Sequence, residues 1–287
     1  MPHNLNRRTI LKMLGYTVVG SGVTAFGIHR YGTRIETEWL QTERVSIPVK
    51  HLGSSFEGFK IVHLSDFHLY PHTQIEFIEQ VVRAANELNP DLIALTGDYV
   101  SGYNSRNSEA IFDLAPVLSK LNAKDGVFSV LGNHDCSTNR SVVLAGLKEC
   151  GLPVLVNDGV ALSRGQQTLY LAGLDDARRG HPDLPKALEK RPGEVPTVLL
   201  VHEPDFADTY SSDGTISLQL SGHSHGGQIR LPGIGAIALP RYGRKYDQGL
   251  YRVQEMWTYT TRGIGVIGPP IRINCRPEVT ELTLVRA

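Results

Sequence analysis

Five times along this 287-residue chain a short apolar run stops at a cluster of Gly, Asp, Asn and His. Lys60 to Ser65 ends at Asp66-Phe67-His68, Asp91 to Thr96 at Gly97-Asp98, and Gly126 to Leu131 at Gly132-Asn133-His134-Asp135. Thr197 to Val201 leads to His202, and Ser217 to Leu220 leads to Gly222-His223-Ser224-His225. Apolar runs this short, bounded by turn-forming and polar residues, read as buried strands. In open α/β architectures, ligand sites gather in the loops at the carboxyl ends of strands. Five such ends can meet at one place.

Helical patterns separate several of these strands. Thr73-Gln74-Ile75-Glu76 has the spacing of a capping box, and Ile75, Ile78, Val81, Val82, Ala85 and Leu88 then recur at helical intervals until Asn89-Pro90. A second helix is expected from about Ser108 to Leu121, with Ile111, Phe112, Leu114, Ala115 and Leu118 as its inner face, and a third near Ser141 to Cys150. Alternation from Thr37 to Val49, closed by Pro48, suggests a first strand. Between Gly249 and Arg286 the chain is richer in Val, Thr and Tyr, and stretches such as Trp257 to Thr261 and Val279 to Val285 read as antiparallel strands. The expected class is α/β, with two sheets packed face to face and helices outside. No repeat, low-complexity tract or linker marks off a second domain.

The first thirty residues differ from the rest. Asn6-Arg7-Arg8-Thr9-Ile10-Leu11-Lys12 precedes an uncharged, mildly apolar run from Met13 to Ile28 diluted by Gly15, Gly20, Gly22 and Gly27. This is the layout of a secretion signal, and the paired arginines resemble the twin-arginine export signal. The run falls short of the roughly 20 residues that span a bilayer, so cleavage or loose anchoring is expected rather than a permanent transmembrane helix. Residues 1–30 are thus read as leader or N-terminal anchor and 31–287 as one catalytic domain. The protein is expected to be exported, to the periplasm or the outer face of the cytoplasmic membrane, with the export machinery as a partner.

Lys+Arg and Asp+Glu both number 29, so the chain offers no general attraction to nucleic acid or anionic membrane, and no nucleic-acid partner is expected. Cys136, Cys150 and Cys275 are an odd number without metal-type spacing, which argues against a disulfide framework and a zinc-thiolate site.

Singly, an Asp-x-His or a Gly-Asp pair proves little; order and position carry the weight. The series Asp66-x-His68, Gly97-Asp98, Gly132-Asn133-His134-Asp135, His202 and Gly222-His223-Ser224-His225 resembles the calcineurin-like metallophosphoesterases, over roughly Lys60 to Arg230. His63 to His68 and Ser221 to Gln228 are similar to the exported bacterial branch, which includes phosphodiesterases and certain UDP-2,3-diacylglucosamine pyrophosphatases. The resemblance implies a four-layer sandwich and a phosphoester hydrolase using two divalent ions, with hydroxide held between them as nucleophile. It also implies that Asp98 bridges the ions, that Asp66, His68 and His225 hold one, and that Asn133, His202 and His223 hold the other. His134 would stand near the departing oxygen, and Asp135 would orient its imidazole.

The chemistry agrees. A phosphoester carries negative charge that repels a nucleophile, and a pair of divalent ions offsets that charge while making hydroxide available near neutral pH. Mixed oxygen and nitrogen donors favour Mn, Fe or Zn over Ca. A lone His at a strand end is more often a satisfied polar residue, so His63, His72 and His181 are left outside the site. Cys136 reads as a small buried filler.

Specificity must come from the surrounding loops. Tyr99 to Ser108 and Asp175 to Pro185 carry Arg106, Arg178 and Arg179, candidates for gripping a second phosphate or a carboxylate; Arg241, Arg244 and Lys245 form another basic group. Leu231 to Leu239 is an apolar, Gly-rich loop with Ile234 and Ile237, which if exposed suits a membrane contact or a lipid-linked substrate. Two rivals stand beside a phosphodiesterase or pyrophosphatase: a lipid pyrophosphatase of the UDP-2,3-diacylglucosamine type, and a non-catalytic metal-binding scaffold.

Overall fold

The computed structural model describes residues 7–102 and 104–287. Residues 1–6, with Asn6 of the expected export signal, and position 103 in the loop after Asp98 lie outside the described residues, as do the side chains of the Arg7-Arg8 pair. Helix α1 (Arg7–Arg30) runs into a short π-helical turn, Tyr31–Ile35. No helix among the described residues is long and apolar enough to cross a membrane. Strands β1 (Gln41–Val49) and β2 (Phe59–Leu64) follow, then helix α2 (Ile75–Glu87), strand β3 (Leu92–Leu95), helix α3 (Ile111–Leu118), strand β4 (Val127–Ser129) and helix α4 (Asn133–Glu149). The second half holds β5 (Asp158–Arg164), β6 (Gln167–Gly173), β7 (Thr197–Leu200), β8 (Leu218–Ser221), the small hairpin β9 (Arg230–Leu231) and β10 (Gly235–Ala236), then β11 (Gly249–Val253), β12 (Met256–Thr260) and β13 (Glu278–Arg286).

These strands make two main sheets, ordered β1-β13-β2-β3-β4 and β11-β12-β8-β7-β6-β5. Side-chain alternation builds the layers. Phe59 and Ile61 of β2 point between the sheets, where they join Val198 and Leu200 of β7 and Leu218 and Leu220 of β8. Val62 and Leu64 face the other way and pack with Ile78 and Val81 of α2 and Leu114 and Leu118 of α3. Leu199 and Val201 of the second sheet bury against Ala207 and Tyr210 of a short outer helical turn. Both faces of the inner strands are covered, which is why β3 is apolar throughout and β7 is apolar after Thr197. The protein is mixed α/β, with two sheets flanked by helices.

Several local expectations need correction. The expected helix near Ser141 is present: the Asn133–Glu149 span breaks at Asn139 (φ -162°, ψ 91°), which separates it from an additional short helix that begins directly on the motif at Asn133. Helix α3 is preceded by 3-10 turns from Ser105 to Ala110, and Phe112 is exposed. Thr73 does not cap α2; its hydroxyl accepts the Val266 amide at 3.2 Å, so a tertiary contact takes the oxygen that a local cap would use. The late strands are not one antiparallel set. β11 and β12 pair antiparallel, but β12 lies parallel to β8, while β13 joins the other sheet between β1 (parallel) and β2 (antiparallel). All three cysteines are free thiols.

Candidate metal centre

Register aligns the strand ends. Leu64 pairs with Leu95 and Leu95 with Ser129, so the turns carrying Asp66, Asp98 and Asn133 emerge side by side. Leu200 pairs with Leu220 in the second sheet, which sets His202 beside the turn of His223 and His225. Three hydrogen bonds then close the sheets over one another at this edge. The His223 amide donates to both oxygens of Asp66 (3.1 and 3.0 Å), and His202 Nδ1 meets the Thr96 carbonyl at 2.7 Å.

The turns are tight. Asp66, His68, Asp98, His223 and His225 all have positive φ, a conformation that costs free energy in non-glycine residues and gathers at functional sites. The glycines beside them are needed for space: a Cβ on Gly132 would strike the Asp98 carboxylate, and one on Gly222 would strike Ser65 and Asp66.

The ligating atoms fall into overlapping groups. Asp66, His68 and His225 each bring a donor atom within 4.8 Å of the others; so do Asp98, His202 and His223, and so do His68, Asp98 and His134. Asp98 links them. Its Oδ2 lies 3.4 Å from His68 Nε2 and 3.2 Å from His202 Nε2. The Nε2 atoms of His68 and His225 stand 3.0 Å apart. Asn133 is fully buried at the start of α4, and both polar atoms of its amide have no hydrogen-bond partner. His202 Nε2 is also buried, with Asp98 Oδ2 as its neighbour. A buried cluster of two carboxylates, an amide and four imidazoles, with the Asn133 amide unpartnered, fits divalent cations.

Electrostatics divide the imidazoles. Burial lowers His68; burial and the neighbouring His68 hold His225 well below the usual range; burial and His202 bring His223 down to about 3. Burial also opposes charging of His202, but Asp98 and Asp66 more than offset it and hold that group well above its usual value. Asp98, although buried, is held well below the carboxylate range by His202 and His134. Three neutral imidazoles are in the form that a metal requires.

A family model for calcineurin-like phosphoesterases matches residues 59–227. The metallophosphoesterase YkuE of Bacillus subtilis (strain 168) is 35% identical over 284 residues, 98% of each chain. The phosphodiesterase YaeI of Escherichia coli (strain K12) is 33% identical over 288 residues, 98% of this chain and 100% of its own. A transmembrane protein with a metallophosphoesterase domain from Danio rerio is 35% identical over 85% of this chain and 57% of its own. This chain belongs to the calcineurin-like metallophosphoesterases. It is a metal-dependent phosphoric ester hydrolase.

Within this metallophosphoesterase, Asp135 does not orient His134. Its Oδ2 accepts the amides of Asp98 (2.8 Å) and Gly132 (2.9 Å), and its Oδ1 accepts those of Tyr99 (2.8 Å) and Val100 (3.3 Å). Asp135 holds the Asp98 turn against the first turn of α4. His134 is set instead by its own backbone, whose amide donates to Asp98 Oδ1 at 2.8 Å, and by the Gly102 carbonyl at 3.2 Å from Nδ1. Likewise, the Arg241 carbonyl lies 2.8 Å from His223 Nε2 and leaves Nδ1 for a ligand.

Of the basic candidates, Lys245 is paired with Asp208 at 2.7 Å and the Arg241 guanidinium lies over the Tyr242 ring. Arg178 stands near enough to His223 to lower its pKa further. His63 is a buried residue bonded to Thr96 Oγ1 at 2.8 Å, and His72 is exposed. Sequence reasoning missed the carboxyl pair of Asp176 and Glu203, which sits behind His202. Burial pushes both groups up, and Asp176 Oδ1 accepts the Arg178 amide at 3.2 Å, fixing the loop that carries this arginine. The available signal was another polar pair, Asp175-Asp176, two residues past the end of β6.

Proposed function

We propose that this chain is a dinuclear phosphodiesterase exported by its leader to the outer face of the cytoplasmic membrane. The observation that carries the dinuclear reading is the position of Asp98 Oδ2 between His68 and His202, one from each donor group. Asp66, His68 and His225 would hold one ion, Asn133, His202 and His223 the other, and Asp98 both. Manganese is the first ion to try, with Fe and Zn as the alternatives. When bound, such ions offset the charge of a phosphodiester and make hydroxide available near neutral pH.

The protein side chains supply the rest. His134, whose Nδ1 is engaged by Gly102, gives the leaving oxygen its proton from Nε2. Arg178, beside the His223 end, binds a phosphate oxygen of the part that stays behind. The phosphodiesterase name of the E. coli relative supports the diester class.

Contact with the membrane surface, and with it a lipid-linked substrate, is supported by exposed apolar side chains in two places. Val23, Phe26 and Ile28 are exposed on α1, and Ile234 and Ile237 are 75% and 60% exposed at the β9-β10 hairpin that follows the histidine motif. The same surface favours a lipid pyrophosphatase of the UDP-2,3-diacylglucosamine type as a second reading. The test is hydrolysis by the manganese-loaded chain of a simple phosphodiester, a phosphomonoester and a nucleotide-sugar lipid pyrophosphate. The diesterase reading expects the diester to turn over fastest; preference for the pyrophosphate would favour the second reading, and turnover of none would return the scaffold.

A further inference from the structure

A cleft of about 320 Å³ opens beside His134, near the lower end of the roughly 300 to 1,000 Å³ seen for small-molecule sites. His134 is part of its wall; Pro71, Val266 and Ile267 give it an apolar character. The remaining lining residues among those described include no Asp, Glu, Lys or Arg. The wall is built rather than incidental. Gln228, the last residue of the histidine motif's Gly226-Gly227-Gln228 tail, accepts the Ile267 amide at 2.8 Å and donates to the Ile267 and Pro269 carbonyls, both at 3.1 Å. Thr73 accepts the Val266 amide. The turn that presents His223 and His225 is thereby tied to the wall of the cleft.

We propose that this cleft is the leaving-group subsite and that it selects a neutral, apolar alcohol. The inference rests on the diesterase reading and deepens it. His134 borders both the cleft and the group it forms with His68 and Asp98, so a leaving oxygen at its imidazole has the cleft open beside it for its carbon substituent. Among the described residues that wall holds no Lys or Arg to receive a departing phosphate, so a pyrophosphate whose leaving group is itself a phosphate ester fits poorly. In the reaction, water that has given one proton to solvent adds to phosphorus as hydroxide, the bond from phosphorus to the alcohol oxygen breaks, that oxygen takes the proton from His134, and solvent returns a proton to the imidazole. Ile267 sets the preference by contact, and Gln228 positions it.

Methyl phenyl phosphate and methyl 4-butylphenyl phosphate test this, because their phenols differ in apolar size and little in acidity. The ratio of their kcat/KM values on the manganese-loaded full chain cancels differences in metal content and in folded fraction. Burial of part of the butyl chain predicts a ratio of about tenfold in favour of the larger ester, falling to about one in Ile267→Ser and in Gln228→Ala. Equal values for the native chain, or a preference that survives both substitutions, would overturn the subsite. If neither ester turns over, the diesterase reading fails on its own account, and the cleft is judged by calorimetric binding of 4-butylphenol. Binding that Ile267→Ser removes would support an apolar site there; no binding would reject it.

Discussion

The carboxylate of Asp135 accepts the backbone amide of Asp98 at 2.8 Å, so one aspartate fixes the turn on which the other stands. With Gly132, Tyr99 and Val100 also bonded to it, Asp135 is the tie between the β3 turn and the start of α4. In Asp135→Asn the amide nitrogen cannot accept, and buried backbone amides lose their partner at a cost of about 1–3 kcal/mol. Denaturant unfolding should show that loss, and metal titration should show weakened binding with it. Unchanged stability and metal affinity together with lost turnover would instead restore a role confined to His134.

Asp98 and His134 should separate cleanly. Asp98→Asn removes the charge shared by both donor groups, and metal content and activity should fall together. His134→Ala should keep its metal while turnover drops by about 10² to 10⁴, the usual range for a lost general acid. Elemental analysis beside steady-state rates makes the comparison; equal metal loss in the two variants would reject the division of roles.

His63 gives a pH dependence of its own. Burial alone lowers its pKa to about 3, and its Nε2 is bonded to Thr96. Below its ordinary value near 6.5 the unfolded chain takes up a proton that the folded chain refuses. This group's contribution to stability is therefore complete above about pH 6.5 and is lost as pH falls toward 3, by about 2 kcal/mol at pH 5. His63→Gln can keep a bond to Thr96 but does not titrate. The difference in unfolding free energy between pH 7 and pH 5 should shrink by about that amount in the variant, and an unchanged difference would contradict the assignment.

Ile234 and Ile237 lie on the exposed hairpin, and their apolar surface has a use only if something covers it. Sedimentation with phosphatidylglycerol-containing vesicles should capture the native chain, and Ile234→Ser with Ile237→Ser should reduce the bound fraction several-fold. Equal capture of both would exclude the hairpin from any membrane contact.

The candidate site's side chains were legible because they lie in short segments. An apolar run announces a buried strand, the polar residues after it announce a strand end, and Gly132 or Gly222 stands where a neighbouring carboxylate leaves no room for a Cβ. Partnership was not legible. Periodicity assigns a residue to a face but says nothing about which strand lies alongside, so β12 joined β8 and β13 entered the opposite sheet without any local sign. Hydrogen-bond partners were hidden for the same reason. Thr73 had the spacing of a cap and Asp135 stood beside His134, yet each bonds to backbone brought in by the fold: Val266 in one case, Asp98 to Val100 in the other. The Gln228 ties to Ile267 and Pro269 span about forty residues, beyond the reach of any local pattern.

Anomalous diffraction from crystals of the manganese-loaded chain tests the centre of this account. Two peaks are expected about 3.5 to 4 Å apart, one on either side of the Asp98 carboxylate, the first against Asp66, His68 and His225 and the second against Asn133, His202 and His223. A single peak at full loading, or two peaks that do not share Asp98, would contradict it.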